Sequence, residues 1–158
     1  MTVVNLKVCL LIKDNDKVLL IKEKSGQNND YKWNIVKGTV ENEEIIKAAI
    51  REAEEEANVK VNLKDSLGVH VKFYGENKYT VYFCYIAEIS EGTPKVTDSE
   101  KQTGGEDIAE VKWFTKEELK KLKDSDFVLD VSYQLIKKYL EGTKYPTEIV
   151  RSQDLSVS

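Results

Sequence analysis

The chain has 158 residues, 41% of them apolar and 33% charged, with a formal net charge of −4. That length suits one domain with a sizeable core. The mildly acidic balance argues against a general nucleic-acid-binding surface, though not against a small nucleotide as substrate. No apolar run approaches the roughly 18 residues of a membrane span, and no basic stretch with an apolar core opens the chain as a secretory leader would. Cys9 and Cys84 both lie in apolar, strand-like runs. They read as reduced core residues of a cytoplasmic protein rather than a disulfide or metal pair.

In chain order, the nearly continuous apolar run Val3 to Ile12 predicts a strand. A polar turn, Lys13 to Asp16, leads to a second run, Val18 to Ile21, and the pair reads as a hairpin. Ser25 to Asp30 is a loop by composition, and Trp33 to Val36 a short strand. A long helix follows within Gly38 to Val59, with Asn42 as its expected N-cap. Val59 to Val61 opens a new extended segment, and Leu67 to Tyr74 and Tyr79 to Ile89 are strands joined by a turn at Gly75-Glu76-Asn77. Tyr79, Tyr82, Phe83 and Tyr85 read as sheet and core aromatics, and His70, the one histidine, as structural. Ser90 to Asp107 is loop-like. Ile108 to Phe114 is a strand, Thr115 to Leu122 a short helix with a Thr115–Glu118 capping box, and Phe127 to Leu140 an amphipathic helix with Val128, Val131, Leu135, Ile136 and Tyr139 as its stripe. Residues 143–158 form a polar tail after a single domain of residues 1–142. Strands, a long helix, more strands and then helices define an α+β chain.

The long helix carries the chemistry. Arg51-Glu52 and Glu55-Glu56 fall within one turn, because side chains three and four apart share a face. Ile45, Ile46, Ala49, Ile50, Ala53 and Ala57 are expected on the other side, against the core. Carboxylates about 4 Å apart repel by roughly 4 kcal/mol at an effective dielectric near 20. Solvent, a base or a hard divalent cation such as Mg²⁺ relieves that repulsion. A run of glutamates on a helix is also commonly just a solvated face.

The spacing around the cluster resembles the Nudix hydrolase box, which reads Gly, five residues, Glu, seven residues, Arg-Glu-aliphatic-any-Glu-Glu-any-Gly-aliphatic. Here Gly38 is followed by Glu43, and seven residues later by Arg51-Glu52-Ala53-Glu54-Glu55-Glu56-Ala57-Asn58-Val59. The interval from Gly38 to Glu43 is one residue short, and Glu43 rather than Glu44 keeps the register to Arg51. Asn58 replaces the helix-ending Gly, a position where Asn tolerates a left-handed backbone. Upstream, Trp33 to Glu41 resembles the family's Trp and Pro-Lys-Gly approach, with Val36 in place of Pro. Downstream, Glu106 to Leu119 resembles the end of many Nudix domains.

The resemblance implies a Nudix fold, an α/β/α sandwich around a mixed sheet. It implies Mg-dependent hydrolysis of a phosphoanhydride in a nucleoside diphosphate linked to X: a nucleoside triphosphate, a dinucleoside polyphosphate or a nucleotide sugar. Mn²⁺ is an alternative metal, and a homodimer is compatible with the family. Glu52, Glu55 and Glu56 would hold metal, with the Gly38 carbonyl facing it. Glu52 is the first choice of base, and Arg51 would orient Glu43 or Glu55. Lys37 would meet a phosphate as a point charge. Tyr74 lies roughly where dinucleoside-polyphosphate hydrolases of the family stack a Tyr on a base. Glu106 would add a metal ligand or base, with Asp107 and Glu110 as competitors. A non-catalytic Nudix-fold nucleotide sensor is the alternative, and the intact carboxylates argue against it.

Overall fold

A computed structural model describes residues 1–26, 30–96 and 107–156. Seven strands, β1 (Val3–Asp14), β2 (Lys17–Ser25), β3 (Asp30–Asn34), β4 (Val36–Thr39), β5 (Lys60–Gly75), β6 (Lys78–Glu91) and β7 (Ile108–Phe114), form one mixed sheet. Helix α1 (Ile45–Ala57) covers one face. Helices α2 (Lys116–Lys120) and α3 (Asp130–Leu140) cover the other. The layers make an α/β/α sandwich around a mixed sheet, as expected. The unbroken apolar character of β1 and β2 follows from burial on both faces. Val8, Leu10, Ile12, Leu19 and Ile21 pack on the α1 side, and Cys9, Leu11, Val18 and Leu20 on the α3 side. Cys9 and Cys84 lie opposite each other in the β1–β6 register as free, buried thiols.

The site is positioned by a fork in the sheet. β1 and β2 pair only beside their turn, at Lys13↔Val18 and Asp14↔Lys17. Beyond that they part. β3 takes an edge of β2, from Ile21↔Asn34 to Ser25↔Asp30, and β4 takes an edge of β1, from Lys7↔Thr39 to Leu10↔Val36. The segment read from sequence as one strand, Trp33 to Val36, is therefore two strands that change partner at Ile35. On their other edges, β1 runs parallel to β6 and β2 antiparallel to β7.

Helix α1 starts later than Asn42. Its N-cap is Glu44, and Asn42 stands at φ 45 in the turn before it. The expected segregation of apolar and acidic faces is also corrected. The buried face is Ile45, Ala48, Ala49, Glu52, Ala53, Glu56 and Ala57, while Ile46 is 41% exposed. Four alanines let the helix sit close to the sheet, and two glutamates go inward with them. Asn58 ends the helix with φ 59 and ψ 36, the left-handed geometry its substitution for Gly requires.

The capping box of α2 is present, with Thr115 and Glu118 bonded reciprocally. Helix α3 starts at Asp130, so Val128 lies before it, donating its N–H to the Trp33 carbonyl at 2.9 Å. The polar tail lies along the domain. Tyr145 and Ser66 exchange backbone hydrogen bonds of 2.8 and 2.9 Å, which gives part of edge strand β5 a partner. Val150 packs on the α1-side core, and Ser152 to Ser156 lie beside Asn42, Glu43 and Glu44. Among the described residues no helix is long and apolar enough to cross a membrane.

Candidate active site

Gly38 and Glu52 define the floor of the site. Gly38 pairs with Val8 in the fork and faces α1. A Cβ built on it would lie 1.8 Å from Glu52 Cδ and 2.0 Å from Oε1. The Glu52 carboxylate thus occupies the space that only a glycine leaves. Glu52 is 7% exposed and Glu56 2%.

Arg51 ties the acidic side chains together. Its Nη2 donates to Glu43 Oε1 at 2.6 Å and Nε to Glu43 Oε2 at 3.2 Å. Nη1 donates to Glu52 Oε1 at 2.9 Å and to Glu55 Oε2 at 3.0 Å. Nη2 also donates to the Thr39 carbonyl at 2.9 Å, anchoring the fork of the guanidinium to the end of β4. A planar five-donor group suits this multiple role in a way a lysine would not. Glu56 Oε1 accepts the Lys37 backbone N–H at 2.8 Å, so the last glutamate of the cluster is fixed to β4 rather than to Arg51.

The hydrogen bonds from Arg51 hold the Glu43 carboxyl below its ordinary value, and Glu43 in turn raises Arg51. A depressed carboxylate contributes stability that is present above its unfolded value of 4.5 and lost as pH falls through the lower folded value. Glu43→Gln is therefore expected to flatten the acid limb of the stability curve below about pH 4.5 and to leave its slope near neutrality unchanged, read by urea unfolding across pH. An unchanged acid limb would remove the Glu43–Arg51 pair from the stability account.

A second polar group, not anticipated from the sequence, lies in the fork. Glu23 is 5% exposed, and its Oε1 accepts from Asn34 Nδ2 at 2.9 Å and faces Lys37 Nζ at 3.4 Å. Asn34 is fully buried, and its Oδ1 accepts from the Ile35 N–H at 2.9 Å and from the Ser132 hydroxyl of α3. A register shift in the β2–β7 pairing falls between Lys22 and Glu23 and re-aims the strand there. The available signal was Asn34, a polar residue inside the apolar run Trp33 to Val36. Lys37 is accordingly not a solvated surface lysine; its side chain is 13% exposed.

Tyr74 is 62% exposed near the β5–β6 turn. The strand register sets it at the level of Val3, whereas Gly38 pairs with Val8. It stands roughly 15 Å from the carboxylates along the strands alone, and is not gathered with them. Tyr82 lies between: burial pushes its hydroxyl up to about 12, Tyr74 adds to this and Lys37 opposes it. His70 packs edge-on against Tyr82. Glu106 lies outside the described residues. Of its competitors, Asp107 accepts the Lys24 N–H through its carbonyl and Glu110 pairs with Lys22 in the sheet.

Among the described residues no three His, Cys, Asp or Glu side chains already form a cation cage. The donor set nevertheless fits a hard divalent cation. Glu52, Glu55 and Glu56 offer only oxygen, Arg51 is shared among three carboxylates, and the Gly38 cradle admits a carboxylate against the main chain of β4.

The NUDIX domain family matches residues 4–134. A NUDIX hydrolase from Nitrosomonas europaea has a similar structure, with 24% identity, a TM-score of 0.75, and 96% of this chain and 98% of that one covered. A MutT NUDIX hydrolase from Burkholderia pseudomallei is 20% identical with a TM-score of 0.67, covering 85% of this chain and 97% of its own. A UDP-X diphosphatase is 19% identical with a TM-score of 0.63, covering 90% of this chain and 65% of its own. No curated protein matches the sequence. The chain belongs to the Nudix family. Within it, the chain is of the Nudix hydrolase type.

Proposed function

We propose that the chain hydrolyses a phosphoanhydride bond in a nucleoside diphosphate linked to a further group X, with Mg²⁺ as cofactor. One observation carries this reading: the buried Glu52 carboxylate seated on Gly38, joined through Arg51 to Glu43 and Glu55. Nudix hydrolases are generally divalent-metal dependent, and likeness to a UDP-X diphosphatase agrees with a nucleoside diphosphate core. Glu52, Glu55, Glu56 and the Gly38 carbonyl would hold the metal, and Glu106 is proposed as a further ligand. Bound magnesium supplies charge neutralisation at the phosphate oxygens and acidifies water.

The residues of the chain do the rest. Arg51 fixes Glu52 so that its carboxylate can accept the proton of the attacking water. The water oxygen bonds to phosphorus, the bridging P–O bond breaks, and the departing phosphate leaves with the electron pair. Lys37 meets a phosphate, and Tyr74 is retained as a contact only for a substrate long enough to reach it.

Phosphate release should be measured on nucleoside triphosphates, ADP-ribose and diadenosine tetraphosphate, with Mg²⁺ and with chelator. Metal-dependent cleavage of one class is expected, and Glu56→Gln should lower it by about a hundredfold or more while the protein stays folded. No cleavage of any member by folded protein would overturn the hydrolase reading in favour of a nucleotide sensor.

A further inference from the structure

We propose that Glu23 is a positioning residue that holds the Lys37 ammonium for the substrate phosphates. The inference rests on the proposed reading of Lys37 as a contact for a substrate phosphate. The two side chains come from different arms of the fork, Glu23 from β2 and Lys37 from β4, which shares its ladder with β1. They meet at 3.4 Å with the carboxylate 6% and the lysine side chain 13% exposed.

Glu23 is itself held. Ser132 donates to Asn34 Oδ1, and Asn34 Nδ2 donates to Glu23 Oε1, so a chain of buried groups runs from α3 to the lysine. Glu23 Oε2 accepts no hydrogen bond among the described residues, although it is buried. An ion pair so far from water gains little net stability over apolar packing. What it does supply is geometry. A lysine has many rotamers, and fixing them before a ligand arrives removes that entropy from binding. The same residue donates its main-chain N–H to Glu56 at 2.8 Å, so Lys37 is registered at once to the carboxylate cluster and to Glu23.

This role has a sign that simple electrostatics does not share. Removing a carboxylate near a polyanion should tighten anion binding by lowering repulsion. Removing a residue that aims the lysine should weaken it. The probe is inorganic tripolyphosphate with magnesium, bound to the full chain and followed by calorimetry. Glu23→Gln is expected to weaken binding by about fivefold, the scale of one immobilised side chain. In a Lys37→Met background the same substitution should leave binding unchanged or tighten it. Should Glu23→Gln not fold, Ser132→Ala releases Asn34 and Glu23 from the far end and should shift affinity in the same direction.

Unchanged or tighter binding by Glu23→Gln overturns the proposal, as does an equal loss with and without Lys37, or a wild type that does not bind the probe. The hydrolase reading is judged separately, by turnover of the nucleotide panel. Turnover with a flat binding cycle removes only the role of Glu23; a positive cycle without turnover removes only the hydrolase.

Discussion

Glu52→Gln is expected to lower turnover by about a thousandfold, within the range for loss of a general base. It is the largest effect of any single substitution here. Gln has the same shape and keeps an oxygen for Arg51 Nη1, which now contacts Glu52 at 2.9 Å, so the helix and its packing should persist. What disappears is a charge and a proton acceptor in a nearly buried position. Because the residue serves both metal and proton transfer in this reading, the loss should appear in kcat, and extra Mg²⁺ should not restore it. Glu55→Gln, at a position whose side chain is 36% exposed, is expected to cost less. Single-turnover rates with circular dichroism as the folding check make the test. A kcat within tenfold of wild type would exclude Glu52 as the base.

Gly38→Ala is expected to lower activity by about a hundredfold, the order seen when a reacting group is misplaced by an ångström. The added methyl meets Glu52 Cδ at 1.8 Å and Cγ at 2.4 Å, so one of the two must move. The obstructed atoms belong to a flexible side chain, which yields more readily than β4. The fold should therefore survive with a loss of about 1–3 kcal/mol, as for other overpacked sites. Gly38 is not among the residues with positive φ, so its need for glycine comes from space rather than from backbone freedom. Loss of activity with a modest drop in melting temperature is the expected pair of results. Activity within threefold of wild type would show that the seated position of the Glu52 carboxylate is dispensable.

The sequence made some of this site legible and hid the rest for physical reasons. Arg51 and its glutamates are local: they lie within one or two turns of a helix, and helical spacing alone groups them. Glu43 could be chosen over Glu44 because it keeps register with Arg51, and it is Glu43 that Arg51 binds, while Glu44 pairs with Lys47. Asn58 was readable because few side chains accept its backbone conformation. The error over Ile46 came from treating charge and burial as opposites. Glu52 and Glu56 are acidic residues and buried, so the true inward stripe includes them and leaves Ile46 outside. Glu23, Asn34 and Ser132 could not be joined by any local pattern. They come from β2, β3 and α3 and meet only because β1 and β2 part.

The parallel ladder of β1 with β6 also sets the order in which the site can be made. Val3 pairs with Lys78 and Lys13 with Glu88, so the ladder closes a loop that contains β2, the fork, α1 and β5. Ladders between distant segments form slowly, since the loop entropy is lost before any contact is gained. On the ribosome, β1 and β4 can find each other early, but β1 keeps one open edge until β6 has been synthesised. Gly38 rests on that unfinished strand. The floor of the site is thus among the last parts of the domain to become rigid, although its residues all precede β6 in the chain.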